Sequence, residues 1–355
     1  MSIGVPSWII TLMAYEPHIS IVGFIVNLVH LFILSRKEMR SSSTNVIMIG
    51  MALSDLYYTG YPVINFIDTK VKNRNTCELP SPYLSVFLNW IASSIRDDSK
   101  RFTSFLGLSM AVIRVIVIRN PAGNSVFSNI SNSKFGWKVV VSVLVLSSLI
   151  SICYHFRSTV DIYNQWTPEI RRCNASEFPA NYSIPEYGMI GSKLFSWNNA
   201  ILTRIYLLVD GLISKIIPAI LFPILTVLLV RQLRKVSENR DKLFSDKKKD
   251  RSNLTTRLVT YMTITFMISE MPLGVLYVWQ SFCASYACSN TASNFMYLCS
   301  LLISLNTLTH FLICISVSTQ YQRAIKSIVK VFDPTKQGQS TISSSNFTRK
   351  ESHIN

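Results

Sequence analysis

Seven stretches of this chain are each apolar and long enough to cross a bilayer, and charged connections separate them. They run from His18 to Ser35, Asn45 to Ile67, Tyr83 to Ile118, Lys138 to Tyr154, Arg204 to Leu229, Leu254 to Trp279 and Asn294 to Val317. About twenty apolar residues span the hydrocarbon core as a helix. A soluble domain of 355 residues buries a large core without repeated runs of that length. The fold class expected is therefore an all-α membrane protein, a seven-transmembrane helix bundle. Tyr321 to Phe332 reads as a short basic amphipathic helix on the membrane surface, with Ala324, Ile325, Ile328, Val329 and Phe332 on its apolar face.

Charge supports the same topology. The net charge is +16, but the basic residues lie in connections such as Arg36–Arg40 and Lys247–Lys249 rather than as a patch on a soluble domain. That is the positive-inside pattern, and it argues against a nucleic-acid partner. It puts the N-terminus outside and the C-terminus in the cytoplasm, in a multi-pass protein of the plasma membrane. Residues 1–17 are then an extracellular N-terminus, 18–332 the membrane domain, and 333–355 a Ser/Thr-rich disordered tail. Met1 to His18 lacks a basic leader, so the first span is expected to act as signal anchor. Seven scattered cysteines form neither a disulfide scaffold nor a zinc motif, and no metal or cofactor is expected. Cys283 and Cys288 pair with each other or stay free. Asn174 and Asn181 head two sequons on the outer loop between the fourth and fifth runs.

Polar residues inside the spans carry the functional reading, because ionisable groups are costly in lipid and usually functional. Arg114 closes an apolar segment seven residues before Pro121, and its guanidinium cannot lose its charge. Its place is the cytoplasmic rim, unless it is only a stop-transfer residue. Asp55 lies within the second span and Asn27 within the first, where an amide needs an interhelical partner. The outer part of the third span carries Arg96, Asp97, Asp98, Lys100 and Arg101. These either neutralise one another through pairs such as Asp97 with Arg101, or receive a ligand's charged end. Asp210 and Lys215 stand in the fifth span with Pro218 and Pro223. Glu270 precedes Pro272 in the sixth, and Asn306 and His310 occupy consecutive turns of the seventh.

The chain resembles a rhodopsin-like G-protein-coupled receptor over about residues 18 to 332. Asn27 looks like the first-helix asparagine and Ala52-Leu-Ser-Asp55 like the second-helix acidic motif. Arg114 with Pro121 resembles the arginine and loop proline of the Asp-Arg-Tyr region, and Pro218 and Pro272 the fifth- and sixth-helix prolines. Tyr321 falls at the aromatic of the membrane-surface helix. Ile113 replaces the acid before the arginine and Val115 the tyrosine after it. Glu270 replaces a tryptophan, and Asn306 to Cys314 replaces the Asn-Pro-x-x-Tyr region. The combination of Ile113-Arg114, Ser269-Glu-Met-Pro272 and Thr309-His-Phe-Leu-Ile-Cys314 is similar to the nematode serpentine chemoreceptors of class W, which are similar in turn to FMRFamide-type neuropeptide receptors.

That resemblance implies a receptor rather than an enzyme. It implies coupling to a heterotrimeric G protein at Arg114 and Pro121. It also implies a Cys77–Cys173 disulfide, and a sodium-site-like group of Asp55, Thr103, Asn306 and His310. A short peptide is the ligand favoured, its charges meeting Arg96, Asp97 or Asp98, Arg101, Asp210 and Glu270; a small environmental molecule is the alternative. A membrane transporter is the competing class, although the chain shows no internal repeat. Epitope tags on the two chain ends test the span count. Antibodies on intact cells are expected to reach the N-terminal tag alone; both tags on one side would contradict seven spans.

Overall fold

The computed structural model describes residues 7–72, 77–119, 129–169, 173, 177–179, 181–241 and 249–331. Its helices are α1 (Ser7–Leu34), α2 (Ser43–Lys72), α3 (Tyr83–Arg119) and α4 (Ser133–His155). A hairpin of β1 (Ser158–Trp166) and β2 (Ile184–Gly191) follows. Then come α5 (Lys193–Asp210), a π turn (Gly211–Ile216), α6 (Ile217–Asp241), α7 (Lys249–Phe282), α8 (Tyr286–Val317) and α9 (Thr319–Val331). The protein is mostly helical, and the hairpin is an added element that the all-α expectation did not include. Its strands pair antiparallel from Ser158 opposite Gly191 to Trp166 opposite Ile184. The β-branched and aromatic residues of 158–166 suit a pleated surface, and the sequence reading left them in a loop. Trp90 of α3 donates to Ser158 Oγ at 3.0 Å, tying the hairpin to the bundle.

Among the described residues, six helical segments are long and apolar enough to cross a membrane: Ser7–Leu34, Tyr83–Arg119, Ser133–Cys153, Lys193–Lys235, Thr260–Phe282 and Tyr286–Ser316. α2 falls short for a physical reason. Half of its thirty residues are buried against other helices, among them Ser43, Asn45, Ser54, Asp55 and Thr59. A helix enclosed by protein needs little lipid-facing apolar surface. α4 is the opposite case. Val141, Leu144, Val145, Leu149 and Ile152 form an exposed apolar stripe at helical spacing, while Ser147 is fully buried. α1 begins eleven residues before His18, so Glu16 is helical rather than part of an extended N-terminal segment.

The two ends of the bundle differ in kind. One end is an apolar core of Ile33, Leu34, Met39, Val46, Ile47, Leu106, Met110, Ile113 and Leu229, closed by Tyr321 of α9. Tyr321 is fully buried, its hydroxyl 2.8 Å from His30 Nδ1. The other end carries the hairpin, and there the interior is charged. Two disulfides hold it: Cys77 to Cys173, and Cys283 to Cys288 between α7 and α8.

Between α5 and α6 the chain absorbs Pro218 by widening one turn. Ile217 N–H reaches back to Leu212 O, the π pattern, and Pro218 falls in the first turn of the next helix, where no donor is missed. The widened turn lies against α7 at two glycines. A Cβ at Gly274 would stand 2.8 Å from Lys215 Cβ, and one at Gly211 would stand 2.9 Å from Tyr277 Cβ. Only glycine permits that approach. Gly274→Val and Gly211→Val are expected to cost about 1–3 kcal/mol by overpacking. That is read as a lowered unfolding temperature of the protein in detergent. Gly191→Val, whose Cβ meets only Ser196 Oγ at 3.4 Å, is the neutral control. Equal unfolding temperatures for all three would contradict the close seam.

Candidate functional site

Helices α3, α5, α7 and the π turn bring most of the charged residues singled out above into one polar interior. Gly211 and Lys215 lie on one face of the widened turn, and Glu270 and Gly274 on one face of α7. The glycine contact therefore carries Lys215 across to Glu270. Their Nζ and Oε2 are 2.6 Å apart, with side chains 3% and 5% exposed. Two charges so enclosed gain from each other in a low dielectric, but each lost its water to get there.

Arg101 is the hub of a second group. Its Nε donates to Asp210 Oδ1 at 2.9 Å and Ser214 Oγ at 3.1 Å, and its Nη2 to Tyr206 at 2.7 Å. Its Nη1 reaches Ser151. Asp98 stands 3.7 Å from Arg101 and accepts from Ser147, from Ser148 at 3.1 Å and from Ser151 at 2.8 Å. The expected Asp97–Arg101 pair does not form. Asp97 is nearly half exposed and sits 3.9 Å from Lys100 instead. Asp98 lies one residue further along the helix, on the face that meets α4 and Arg101, while Asp97 points to the mouth. Arg96 is held by Glu16 of α1 at 2.5 Å, its guanidinium 4.6 Å from the centre of the Tyr58 ring. All six residues assigned to a charged ligand are thus engaged with protein groups, and Asp97 is the most exposed of them.

Deeper in, the four sodium-site-like residues come together. His310 Nδ1 lies 2.8 Å from Asp55 Oδ2, and Thr103 Oγ1 is 3.4 Å from Asp55 Oδ1. Asp55, Thr103 and Asn306 line a cavity of about 10 Å³ with Lys100 and Glu270, which is room for one water-sized sphere. Asn306 Oδ1 also accepts from Thr309 at 3.1 Å. Asn27 stands apart from this cavity. Its amide turns back on its own helix to Gly23 O at 2.9 Å, and its Oδ1 is buried without a partner among the described residues. The expected interhelical bond is not formed.

Arg114 is half-buried near the apolar end and has no ion pair or hydrogen bond among the described residues. Ile113 beside it is packed into the core at 5% exposure. Pro218 is fully buried, whereas Pro272 is exposed on α7, which runs through it as one helix. Asn181 is exposed in the turn before β2, with a φ of 62° that asparagine tolerates. Pro121 and Asn174 lie outside the described residues.

Sequence reasoning missed four groups of partners. Glu16 fell in what read as the extracellular N-terminus. Ser147, Ser148 and Ser151 form a polar stripe on an apolar helix, a signal that was there to be read. The Gly211–Gly274 contact and the His30–Tyr321 bond join residues far apart in the chain and leave no local pattern.

A double-mutant cycle on Lys215 and Glu270 tests whether the pair acts as a unit. Lys215→Met or Glu270→Gln alone is expected to cost about 3–5 kcal/mol by stranding a buried charge. The double variant is expected to lose far less than the sum. Additive losses in detergent unfolding would show that the groups do not interact.

No curated protein matches the chain. Among protein families, the serpentine type 7TM GPCR chemoreceptor Srw matches residues 14–332. That match runs from within α1 to the end of α9 and takes in the polar interior. The chain belongs to the Srw family of serpentine seven-transmembrane chemoreceptors.

Proposed function

We propose that this chain is a chemosensory receptor of the plasma membrane that passes ligand occupancy to a heterotrimeric G protein. α2 is the seventh span, the hairpin end is extracellular, and α9 with residues 333–355 is cytoplasmic. Arg114 and Pro121 form the docking point for the G protein. Asn174 and Asn181 are glycosylated on the outer face.

The observation that carries the reading is the contrast between the two ends. Charge pairs clamp the outer interior, while Arg114 at the inner rim has no carboxylate partner among the described residues. A receptor has two packings, and a ligand biases one by its differential affinity. Moving such an equilibrium from 1:99 to 99:1 takes about 5.5 kcal/mol. One buried pair is worth about 3–5 kcal/mol when broken, so a ligand that disturbs the Lys215–Glu270 seam acts on the right scale. The π turn and Pro218 sit beside the seam, where α6 can swing relative to α7 and widen the rim at Arg114.

A small molecule is the ligand this interior supports. The charges that a peptide's termini would meet are already engaged, from Arg96–Glu16 to Lys215–Glu270. A response to amidated peptides, with none to small metabolites, would reverse that choice.

With Ile113 in place of an acid, the inactive rim lacks a restraint, and appreciable basal exchange follows. GTP exchange in membranes is the test. Arg114→Ala is expected to abolish exchange at unchanged surface expression, and Ile113→Asp to lower the basal rate. Wild-type exchange from Arg114→Ala would end this assignment; ligand-dependent solute flux without exchange would favour a transporter.

A further inference from the structure

A cavity of about 660 Å³ runs between α2 and α3 on the outward side of the bundle, away from the charge pairs. Its α2 wall is one helix face, from Leu53 through Leu56, Tyr57, Gly60 and Ile64 to Lys72. Its chemistry is graded. From Leu53 to Ile64 the wall is apolar apart from two phenols, and both are spent: Tyr57 donates to Ala92 O at 3.1 Å and Tyr61 to Asn89 Oδ1 at 3.0 Å. Next come two carboxamides, Asn65 and Asn89. The Asn65 side chain and the Asn89 Nδ2 have no partner among the described residues. At the hairpin end stand Asp68 and Lys72, 2.6 Å apart and both partly exposed, with Ser81 3.1 Å from Lys72 Nζ.

We propose that this crevice is a binding site for one zwitterionic phospholipid of the outer leaflet. The spacing fits. At 1.5 Å per residue, Leu53 to Ile64 is about 16 Å of apolar wall, long enough for most of an acyl chain, and Asn65 to Lys72 adds about 10 Å for the head. Unpaired amide N–H groups facing hydrocarbon are costly, and ester carbonyls at that depth accept from Asn65 and Asn89. Lys72 takes the phosphate and Asp68 the ammonium, so a headgroup carrying both charges matches both ends of the pair. The chain lies as a wedge between α2, which holds Asp55, and α3, which holds Thr103. The site rests on α2 crossing the bilayer, as proposed above.

The test uses the full-length receptor in nanodiscs containing phosphatidylcholine with a diazirine in one acyl chain, with adducts mapped by peptide mass spectrometry. Adducts on the α2–α3 crevice are expected to exceed those on the exposed α4 stripe several-fold. They are expected to fall to the α4 level in Ala92→Phe, which fills the crevice. The Asn65→Leu/Asn89→Leu double variant, which leaves the crevice open, is expected to fall likewise, with α4 adducts unchanged in both. Adducts spread evenly over α2, α3 and α4 would overturn the proposal and leave the spanning of α2 intact. So would equal crevice labelling by a phosphatidylglycerol or single-chain fatty-acid probe. Adducts on α4 with none anywhere on α2 would overturn both.

Discussion

The contact on which the hairpin half of this receptor depends is the approach of the Gly211–Ile216 π turn to α7 at Gly274. Two glycines bring the backbones close enough for Lys215 and Glu270 to meet at 2.6 Å inside the bundle. Were the helices further apart, each charge would be buried alone, at a cost of several kcal/mol. Backbone approach and charge pairing are therefore one constraint. The widened turn serves both: it absorbs Pro218 and aims Lys215 at α7.

Around this seam the bundle separates two kinds of cohesion. At the hairpin end, ion pairs and serine hydroxyls hold α1, α3, α4 and α5 together through Arg96, Arg101 and Asp98, and the Lys215–Glu270 pair ties in α7. Directional contacts of that sort have discrete alternatives, which suits an end that must answer a ligand. At the opposite end, interlocked apolar side chains and the buried Tyr321–His30 bond make a continuous core. Cores packed to native density tolerate few intermediate arrangements. A change at the first end reaches the second as a switch rather than as a gradual strain. The cavity beside Asp55, Asn306 and Glu270 lies between them, so it feels both.

Much of this architecture was legible in the chain. Each apolar run falls on observed helix, although α1 begins eleven residues and α8 eight residues before its run, and the intramembrane charges marked the polar interior. What escaped was non-local. Arg101 pairs with Asp210, 109 residues away, rather than with the neighbour four positions back that helical spacing offered. Glu16 looked like a surface acid because nothing in its surroundings announces Arg96, 80 residues on. The hairpin was hidden because its two strands pair across the seventeen intervening residues 167–183, a separation that leaves no local turn signal. α2 was read as a span from its length and motif, yet its polar content reflects enclosure by protein, which hydropathy alone does not register. The role proposed for Arg114 came from family resemblance; geometry adds that this guanidinium has no carboxylate partner among the described residues.

The most direct test of the account is to lock the seam and measure nucleotide exchange. A Cβ at Gly211 would lie 2.9 Å from the Tyr277 Cβ, within about an ångström of the separation a disulfide spans. Gly211→Cys with Tyr277→Cys, in a receptor whose Cys153, Cys299 and Cys314 are replaced by serine, is compared oxidised and reduced for GTP exchange in membranes. The account predicts that the oxidised receptor loses both basal and ligand-driven exchange and that mild reduction restores them. Full exchange with the seam covalently closed would contradict it.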